Sequence, residues 1–242
     1  MKIPMFSFMR NRLSSKETVL SYFLYAIGEL VLIALGILLA LQLDNWNQKR
    51  LNGIRERVLL AEIQDEFIFN KEELVETASS YFKVRENCLK LVNLISEESV
   101  TPDEGLLSSL LKRISLTTSA DLSKATIDTL KNTSSFHIIR NDELRSKLIL
   151  WESLLVDYKE REKRAENFTI QRLSPFLSKR VPFPYEIGII DPRVDDSFIK
   201  DIEFENLIKT RARLISNFLN MAEGDRPKMM ETIDRIIALS GD

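Results

Sequence analysis

The chain has 242 residues, of which 44% are hydrophobic and 29% are charged, and its formal net charge is −2. A balance this close to neutral gives no general attraction to nucleic acid or to an anionic surface, so we expect no nucleic-acid partner. Glycine and proline number only 7 each, so few turns can form. This composition favours long helices and disfavours an all-β fold.

The first predicted elements are a basic N-terminal tail at residues 1–19 and a transmembrane signal-anchor helix at residues 20–45. Glu29 is the only charged residue between Tyr22 and Leu43. A helix over this stretch is about 33 Å long, because each residue rises about 1.5 Å, and that length crosses the hydrocarbon core of a bilayer. The apolar run is longer than that of a cleaved signal peptide, so we expect the helix to stay in the mature protein with the lipid bilayer as its partner.

Aromatic side chains that carry a polar atom lie at the two ends of this helix. Tyr22 and Tyr25 lie at one end and Trp46 at the other, as expected for side chains that anchor in the membrane interfaces. Four basic residues precede the helix, and the flank that ends at Arg57 carries another four. We expect the short basic tail in the cytoplasm, because it resembles the n-region of a signal anchor, and the C-terminal domain in the periplasm of a bacterial inner membrane.

Glu29 shares one face of the anchor helix with a set of mostly small side chains. At about 100° per residue, this face also contains Ala26, Ile33, Gly36, Ala40 and Asn47. Gly36 and Ala40 are four residues apart, the small-x-x-x-small spacing that lets two helices approach closely. The face therefore predicts a transmembrane interface in a homo-oligomer.

Three interpretations of Glu29 remain open. In the first, the carboxyl group is protonated and hydrogen-bonded inside the oligomer interface. In the second, the side chain snorkels to headgroups about two turns away. In the third, it marks a proton or ion path, which needs a ring of subunits because the chain offers no second span.

Four short motifs follow one another in and after the anchor helix: Tyr25-Ala26-Ile27-Gly28-Glu29, Leu35-Gly36-Ile37-Leu38, Ala40-Leu41-Gln42 and Asn45-Trp46-Asn47. Together they resemble an uncharacterised family of single-pass membrane proteins of the Bacteroidota. The resemblance covers roughly residues 20–50 and implies an N-terminal anchor followed by a helical C-terminal domain. It carries over no catalytic residue, and Asp44 stands where the family pattern has a neutral amide.

Residues 46–242 are predicted to form a helical soluble domain, because apolar residues recur there at steps of three and four. We expect an all-α fold in which the anchor helix continues, with a bend near Gly53, into an elongated antiparallel helical bundle. Thr101 and Asn141 are predicted to cap two of its helices. The predicted elements are a long helix at about 46–97, short helices at about 102–115 and 121–131, a long helix at about 142–174, a loop at about 175–202 and a helical region at about 203–240.

Residues that support catalysis or bind metals are scarce in this sequence. His137 is the only histidine and Cys88 the only cysteine. A zinc site needs several such ligands, so we expect no metal site, no cofactor and no catalytic residue. Cys88 lies in an apolar helical stripe and is predicted to be buried. The charges alternate in sign from Lys159 to Arg164, which predicts a solvated helix face with internal ion pairs.

Three functional hypotheses follow from these features. The leading one is a membrane-anchored structural or interaction protein without catalytic activity, which self-associates through its transmembrane helix and helical domain and binds other membrane or periplasmic proteins. The second is a sensor or ligand-binding bundle, which a pocket lined by Trp151, Tyr158 and Phe183 would favour. The third is an ion- or proton-conducting oligomer that uses Glu29.

Overall fold

A computed structural model describes residues 16–96, 104–181, 196–222 and 228–241. These ranges contain helices and irregular connections and no strand, which confirms the predicted all-α class. The α-helices, numbered here in chain order, are α1 (Lys16–Ser96), α2 (Glu104–Ile114), α3 (Ala125–Asn132), α4 (Asp142–Phe168), α5 (Ser174–Ser178), α6 (Ile202–Ala222) and α7 (Lys228–Gly241). Single 3₁₀ turns occupy Ser135–Ile138 and Asp196–Lys200, and a π turn occupies Thr169–Leu173.

The chain divides into two compact units, Met1–Glu56 and Arg57–Asp242. In the first unit the described residues belong to α1, the long apolar N-terminal helix that the sequence predicts. The second unit holds the rest of α1 and the other helices. The helix is uninterrupted at Gly53, where the sequence suggested a bend.

The core of the second unit forms around large apolar side chains from several helices. Phe67 on α1 and Trp151 on α4 meet edge to face, with ring centroids 5.3 Å apart, and neither side chain is exposed. Ile208 on α6 and Ile233 on α7 are fully buried in the same cluster. Each of these residues lies on an apolar face that recurs at steps of three and four, so burial of one face per helix builds the bundle.

The start of α4 follows the predicted capping rule. The side-chain oxygen of Asn141 accepts a hydrogen bond from the backbone N–H of Leu144 at 3.0 Å, so Asn141 is the N-cap, as predicted. Asp142 and Glu143 occupy the first turn of the helix. Their negative charges favour that end, where the helix dipole is positive.

The end of α4 differs from the prediction of a loop that starts at residue 175. Helical structure continues through the π turn Thr169–Leu173 into α5 and ends at Ser178. Pro175 lies in the first turn of α5. A proline lacks the N–H that an α-helix needs at this point and clashes with the preceding turn, and the wider π turn just before it relieves that conflict. Within the rest of the predicted loop, Asp196–Lys200 forms a 3₁₀ turn.

Several predictions concern residues outside the described ranges. They are the tail before residue 16, the cap at Thr101 and the aromatic Phe183 in the predicted loop.

Candidate functional site

The predicted transmembrane interface lies in the first unit, on the surface of α1. From Leu20 to Leu51 every side chain of the helix is exposed. This stretch includes all six residues that the sequence places on one face: Ala26, Glu29, Ile33, Gly36, Ala40 and Asn47. It also includes the predicted membrane-interface residues Tyr22, Tyr25 and Trp46, each exposed by two thirds or more. Contact of this face with a second subunit stays a prediction.

Within the described part of the chain, no neighbouring atom requires glycine at position 36. A Cβ atom built on Gly36 would meet no heavy atom within 4 Å, and the same is true of Gly28. Glycine inside a helix costs about 0.5–1 kcal/mol relative to alanine, because its unfolded backbone is more flexible. A close approach by a partner helix would offset this cost on the Gly36 face.

Polar side chains at the end of the apolar stretch bond within the helix. Gln48 donates to the Asp44 carboxylate at 2.8 Å, one turn away. Arg50 donates to the side-chain oxygen of Asn47 at 3.3 Å. The polar part of α1 therefore begins with local hydrogen bonds that link neighbouring turns.

The second unit contains a different set of polar side chains, which hold one irregular segment in place. The backbone from 116 to 126, here called the clamped segment, connects α2 to the start of α3 and is irregular up to residue 124. Its backbone groups bond to side chains from α1, α4 and α6. Such backbone groups must find partners when they leave water, and here side chains supply them.

Helix α1 provides one row of these contacts. Asn70 makes a pair of hydrogen bonds with the backbone of Ser123: its Nδ2 donates to the carbonyl at 2.9 Å, and its Oδ1 accepts from the N–H at 2.6 Å. Helix α1 and the clamped segment run antiparallel, because residues later in the clamped segment contact earlier turns of α1. The other partners in this row are Tyr81 with Thr118, Glu73 with Asp121, and Glu66 with Ser123 and Thr126.

The row explains why α3 starts later than the predicted residue 121. Asn70 binds both backbone groups of Ser123, so this residue is held outside the helix. Glu66 then accepts from the N–H of Thr126 at 2.9 Å, and the Ser123 hydroxyl accepts from the N–H of Ala125 at 3.2 Å. These two N–H groups lie in the first turn of α3, so the helix is capped from α1 and begins at Ala125.

Glu162 of α4 is the central residue among the polar side chains that hold the clamped segment, and these side chains are here called the clamp. Its side chain is 4% exposed, yet its carboxylate accepts from the backbone N–H of Ala120 at 2.9 Å and from the hydroxyl of Ser119 at 2.8 Å. The ammonium group of Lys159 lies 2.9 Å from the same carboxylate and also donates to the Ala120 carbonyl. The buried negative charge is therefore paired and hydrogen-bonded, as burial requires.

Two tyrosines lie beside this carboxylate. Burial raises the pKa of Tyr158, and the negative charge of Glu162 raises it further. Burial likewise raises the pKa of Tyr81, whose hydroxyl donates to the Thr118 carbonyl at 2.6 Å. Both phenols therefore remain neutral across the physiological range, and Tyr81 acts here as a hydrogen-bond donor.

Arg211 of α6 completes the clamp from the other side. Its guanidinium is fully buried and donates to the carbonyl of Ala165 at 2.7 Å and to that of Leu116 at 2.9 Å. It also lies 5.9 Å from the centre of the Tyr81 ring. Burial lowers the pKa of Arg211, while Tyr81 and Cys88 act in the opposite direction. Arg211 links the start of the clamped segment to the end of α4.

The buried position of Glu162 corrects one prediction from the sequence. We expected residues 159–164 to form a solvated face, and Arg164 with Glu160 does form an exposed ion pair at 2.7 Å. Glu162 does not belong to that face. It stands four residues after Tyr158 and three before Ala165, which places it on the buried stripe of α4. That spacing is the sequence signal that could have found it.

The structure describes four of the other side chains that the sequence analysis singled out. Cys88 is fully buried, as predicted, and burial raises its pKa to about 12. His137 is exposed in a 3₁₀ turn. Trp151 and Tyr158 are fully buried in the bundle core, and Phe183 lies outside the described residues. Among the residues that the structure describes, no group of histidine, cysteine and acidic side chains is arranged to hold a metal ion.

Comparison with protein-family models, curated proteins and solved structures finds no match for this chain. The described ranges contain one helix that is long and apolar enough to cross a membrane.

Proposed function

We propose that the protein is a membrane-anchored structural or interaction protein that self-associates through its transmembrane helix and helical domain, without catalytic activity. The observation that carries this proposal is the exposure of the apolar part of α1. None of its most apolar 18-residue window is buried. In a soluble protein, a long apolar helix is buried in the core, because exposed apolar patches of this extent lead to association. A bilayer covers the same surface at no such cost.

The proposed location is a bacterial inner membrane, with the residues before the anchor in the cytoplasm and the C-terminal domain in the periplasm. The resemblance to single-pass membrane proteins of the Bacteroidota supports the single-pass arrangement. The short basic N-terminal region supports the orientation through its resemblance to the n-region of a signal anchor, since the two flanks of the helix carry equal numbers of basic residues.

Self-association is supported by the composition of one helix face. Glu29 is exposed on α1, and inside a bilayer its carboxyl group would need a hydrogen-bonding partner or a route to the headgroups. A second copy of the same face would supply that partner. Gly36 would allow the close approach, since no other atom of the described chain occupies the space around it.

The proposed absence of catalysis is supported by what the polar side chains of the bundle core bind. Glu162 and Arg211, the two buried charged residues among those described, both bond to the protein's own backbone. These bonds hold the clamped segment in place. The two buried charges of the described core therefore stabilise the fold through bonds to the backbone.

The test compares two glycine substitutions in the same helix. Gly36→Leu places a bulky side chain on the proposed interface, whereas Gly28→Leu places it about 100° away from Glu29 on the helix. Among the described residues, neither glycine has a neighbour within 4 Å of an added Cβ. The full chain is extracted in mild detergent and its mass is measured. We expect Gly36→Leu to dissociate the complex and Gly28→Leu to leave its mass unchanged. Equal masses for wild type and both variants would contradict the proposed interface.

A further inference from the structure

The second unit exposes a row of large apolar side chains on the outer face of α1. Ile68, Val75, Phe82 and Leu89 are 40–47% exposed and follow one another at intervals of seven residues. The residues that precede each of them are fully buried in the bundle: Phe67, Leu74, Tyr81 and Cys88. One side of the helix therefore builds the core of the unit, and another presents a second apolar row, here called the outer row.

The outer row places one apolar side chain in each heptad, and it lacks the second apolar position that a coiled-coil seam has, because Lys71 with Glu72 and Arg85 with Glu86 stand three and four residues after Ile68 and Phe82. Seven residues fall about 20° short of two full turns in a straight α-helix, so a strict seven-residue repeat stays in contact with a partner when two helices supercoil left-handedly. In the sequence, the same interval continues back from Ile68 through Ala61, Ile54, Asn47 and Ala40. The buried residues Phe67, Leu74, Tyr81 and Cys88 have the same interval, so the charges beside the outer row, rather than its spacing, indicate what docks there.

Charged residues of opposite sign flank the outer row. Lys71 and Arg85 lie about 60° to one side of it, and Glu72 and Glu86 lie about 40° to the other side. Asp65 extends the acidic flank. Among the described residues, none of these three acids enters an ion pair. Lys71 pairs with Asp234 at 2.7 Å, but its side chain remains 45% exposed, and an ammonium group has three donors.

These flanks distinguish between the two ways in which a second copy could dock. If two outer rows meet with their helices parallel, a two-fold axis along the helices brings the acidic flank of one copy opposite the basic flank of the other. If the helices are antiparallel, acid faces acid and base faces base, which is unfavourable. Glu72 follows Lys71 and Glu86 follows Arg85 directly, so partners of opposite sign lie at nearly equal heights in the parallel arrangement.

We propose that a second copy of this chain docks on the outer row, with the two helices parallel. This inference rests on the proposed self-association and identifies the surface in the second unit that takes part in it. Parallel docking is also the arrangement that two chains anchored in the same membrane by the same N-terminal helix can adopt. The partner is thus identified by charge complementarity.

The experiment is disulfide formation between identical positions in the full-length protein in its membrane. When the two helices are parallel about a two-fold axis, the same residue of the two copies meets across the axis, so Ile68→Cys and Leu89→Cys each form a disulfide-linked dimer upon oxidation. A disulfide requires Cα atoms within about 7 Å. Glu76→Cys is the matched control, because Glu76 is exposed on α1 but lies about 100° from Val75. The wild type gives the background, since Cys88 is its only cysteine and is buried.

Charge exchange gives a second measurement. We expect Glu86→Arg to reduce the cross-linked fraction of Ile68→Cys about threefold, the size of effect that exposed ion pairs produce. The double change Arg85→Glu with Glu86→Arg reverses both flanks and restores the fraction. A loss without restoration would overturn the proposed pairing.

The outcomes separate this inference from the proposed function. Cross-linking at Ile68→Cys and Leu89→Cys, but not at Glu76→Cys, supports the parallel interface. An oligomeric wild type without cross-links at either position overturns the interface and leaves self-association intact. Cross-links that appear only when the Ile68→Cys and Leu89→Cys chains are mixed show antiparallel docking and overturn the proposal. A monomeric wild type in native membranes overturns both.

Discussion

Glu162 and Ala120 are 42 residues apart in the sequence, and the carboxylate of Glu162 accepts the backbone N–H of Ala120 at 2.9 Å. Both residues are buried. The bond joins α4 to a stretch of chain that has no regular secondary structure of its own. A buried backbone N–H that lost this acceptor would have no water to replace it.

Removing the Glu162 carboxylate should therefore destabilise the bundle. We expect Glu162→Ala to lower the free energy of unfolding by about 2–4 kcal/mol, because the Ala120 N–H and the Ser119 hydroxyl would be left buried without their acceptor. Glu160→Ala is the matched control, since Glu160 is exposed on the same helix and pairs with Arg164 in an exposed ion pair. We expect it to change stability by less than about 1 kcal/mol. Urea unfolding of the full chain in mild detergent, followed by circular dichroism, measures both; similar losses would contradict the role of Glu162.

The thiol of Cys88 should be inert in the folded protein. Burial raises its pKa from the usual 9.0 to about 12, so the reactive thiolate is almost absent at pH 8. We expect a thiol reagent such as dithiobis-nitrobenzoate to label no cysteine in the native protein and one cysteine after denaturation. Labelling of the native protein at the unfolded rate would contradict the buried position.

The same shift predicts the direction of the pH dependence of stability. Above pH 9 the thiol of the unfolded chain ionises, whereas the buried thiol does so only near pH 12, so unfolding becomes more favourable as the pH rises through this window. The raised pKa of Tyr81 acts in the same direction. We expect the midpoint of urea unfolding to fall between pH 9 and pH 11, and to fall less in Cys88→Ala. An equal fall in both proteins would contradict the contribution of the thiol.

The long apolar N-terminal helix and the capping of α4 could be predicted from the sequence because both follow local rules. Between Tyr22 and Leu43 this helix contains one charged residue, Glu29, and Asn141 stands directly before the apolar repeat of α4. The start of α3 could not be predicted in this way, because Glu66 caps it from 60 residues earlier in the chain. Local propensity contains no information about a partner at that distance.

The burial of Glu162 illustrates a different limit. Its spacing from Tyr158 and Ala165 places it on the apolar stripe, but the alternating charges around it suggest a solvated face. The acceptor becomes necessary only when the clamped segment crosses α4 and brings the Ala120 N–H into the core. The contact with this distant segment, rather than helix periodicity, determines that Glu162 is buried and not part of a solvated face.

Two substitutions at Glu29 should separate the three interpretations of that residue. If Glu29 is a hydrogen-bonded partner in the oligomer, Glu29→Gln should leave assembly intact and Glu29→Leu should weaken it by about 1 kcal/mol per contact. If it conducts protons, Glu29→Gln should assemble normally and abolish proton flux into liposomes. If it snorkels, neither change should alter the oligomer mass. We expect the first result, and normal assembly of Glu29→Leu would contradict it.

The orientation in the membrane can be measured with protease. We expect protease added to spheroplasts to digest the C-terminal domain, because the proposed topology places it in the periplasm, and to leave the basic N-terminal region protected. A cytoplasmic marker protein controls for intact membranes. Protection of the C-terminal domain in spheroplasts, with digestion only after lysis, would reverse the proposed topology.

The central claim is that α1 anchors the chain in a membrane as part of a homo-oligomer, and its most direct test is the mass of the intact protein taken from native membranes in lipid nanodiscs. Alkaline carbonate treatment of the same membranes first establishes that the chain is integral. We expect the chain to remain in the carbonate pellet and the nanodisc complex to have a mass of two or more copies of the 28.0 kDa chain. A chain that washes off with carbonate, or a complex with the mass of a single copy, would contradict the account.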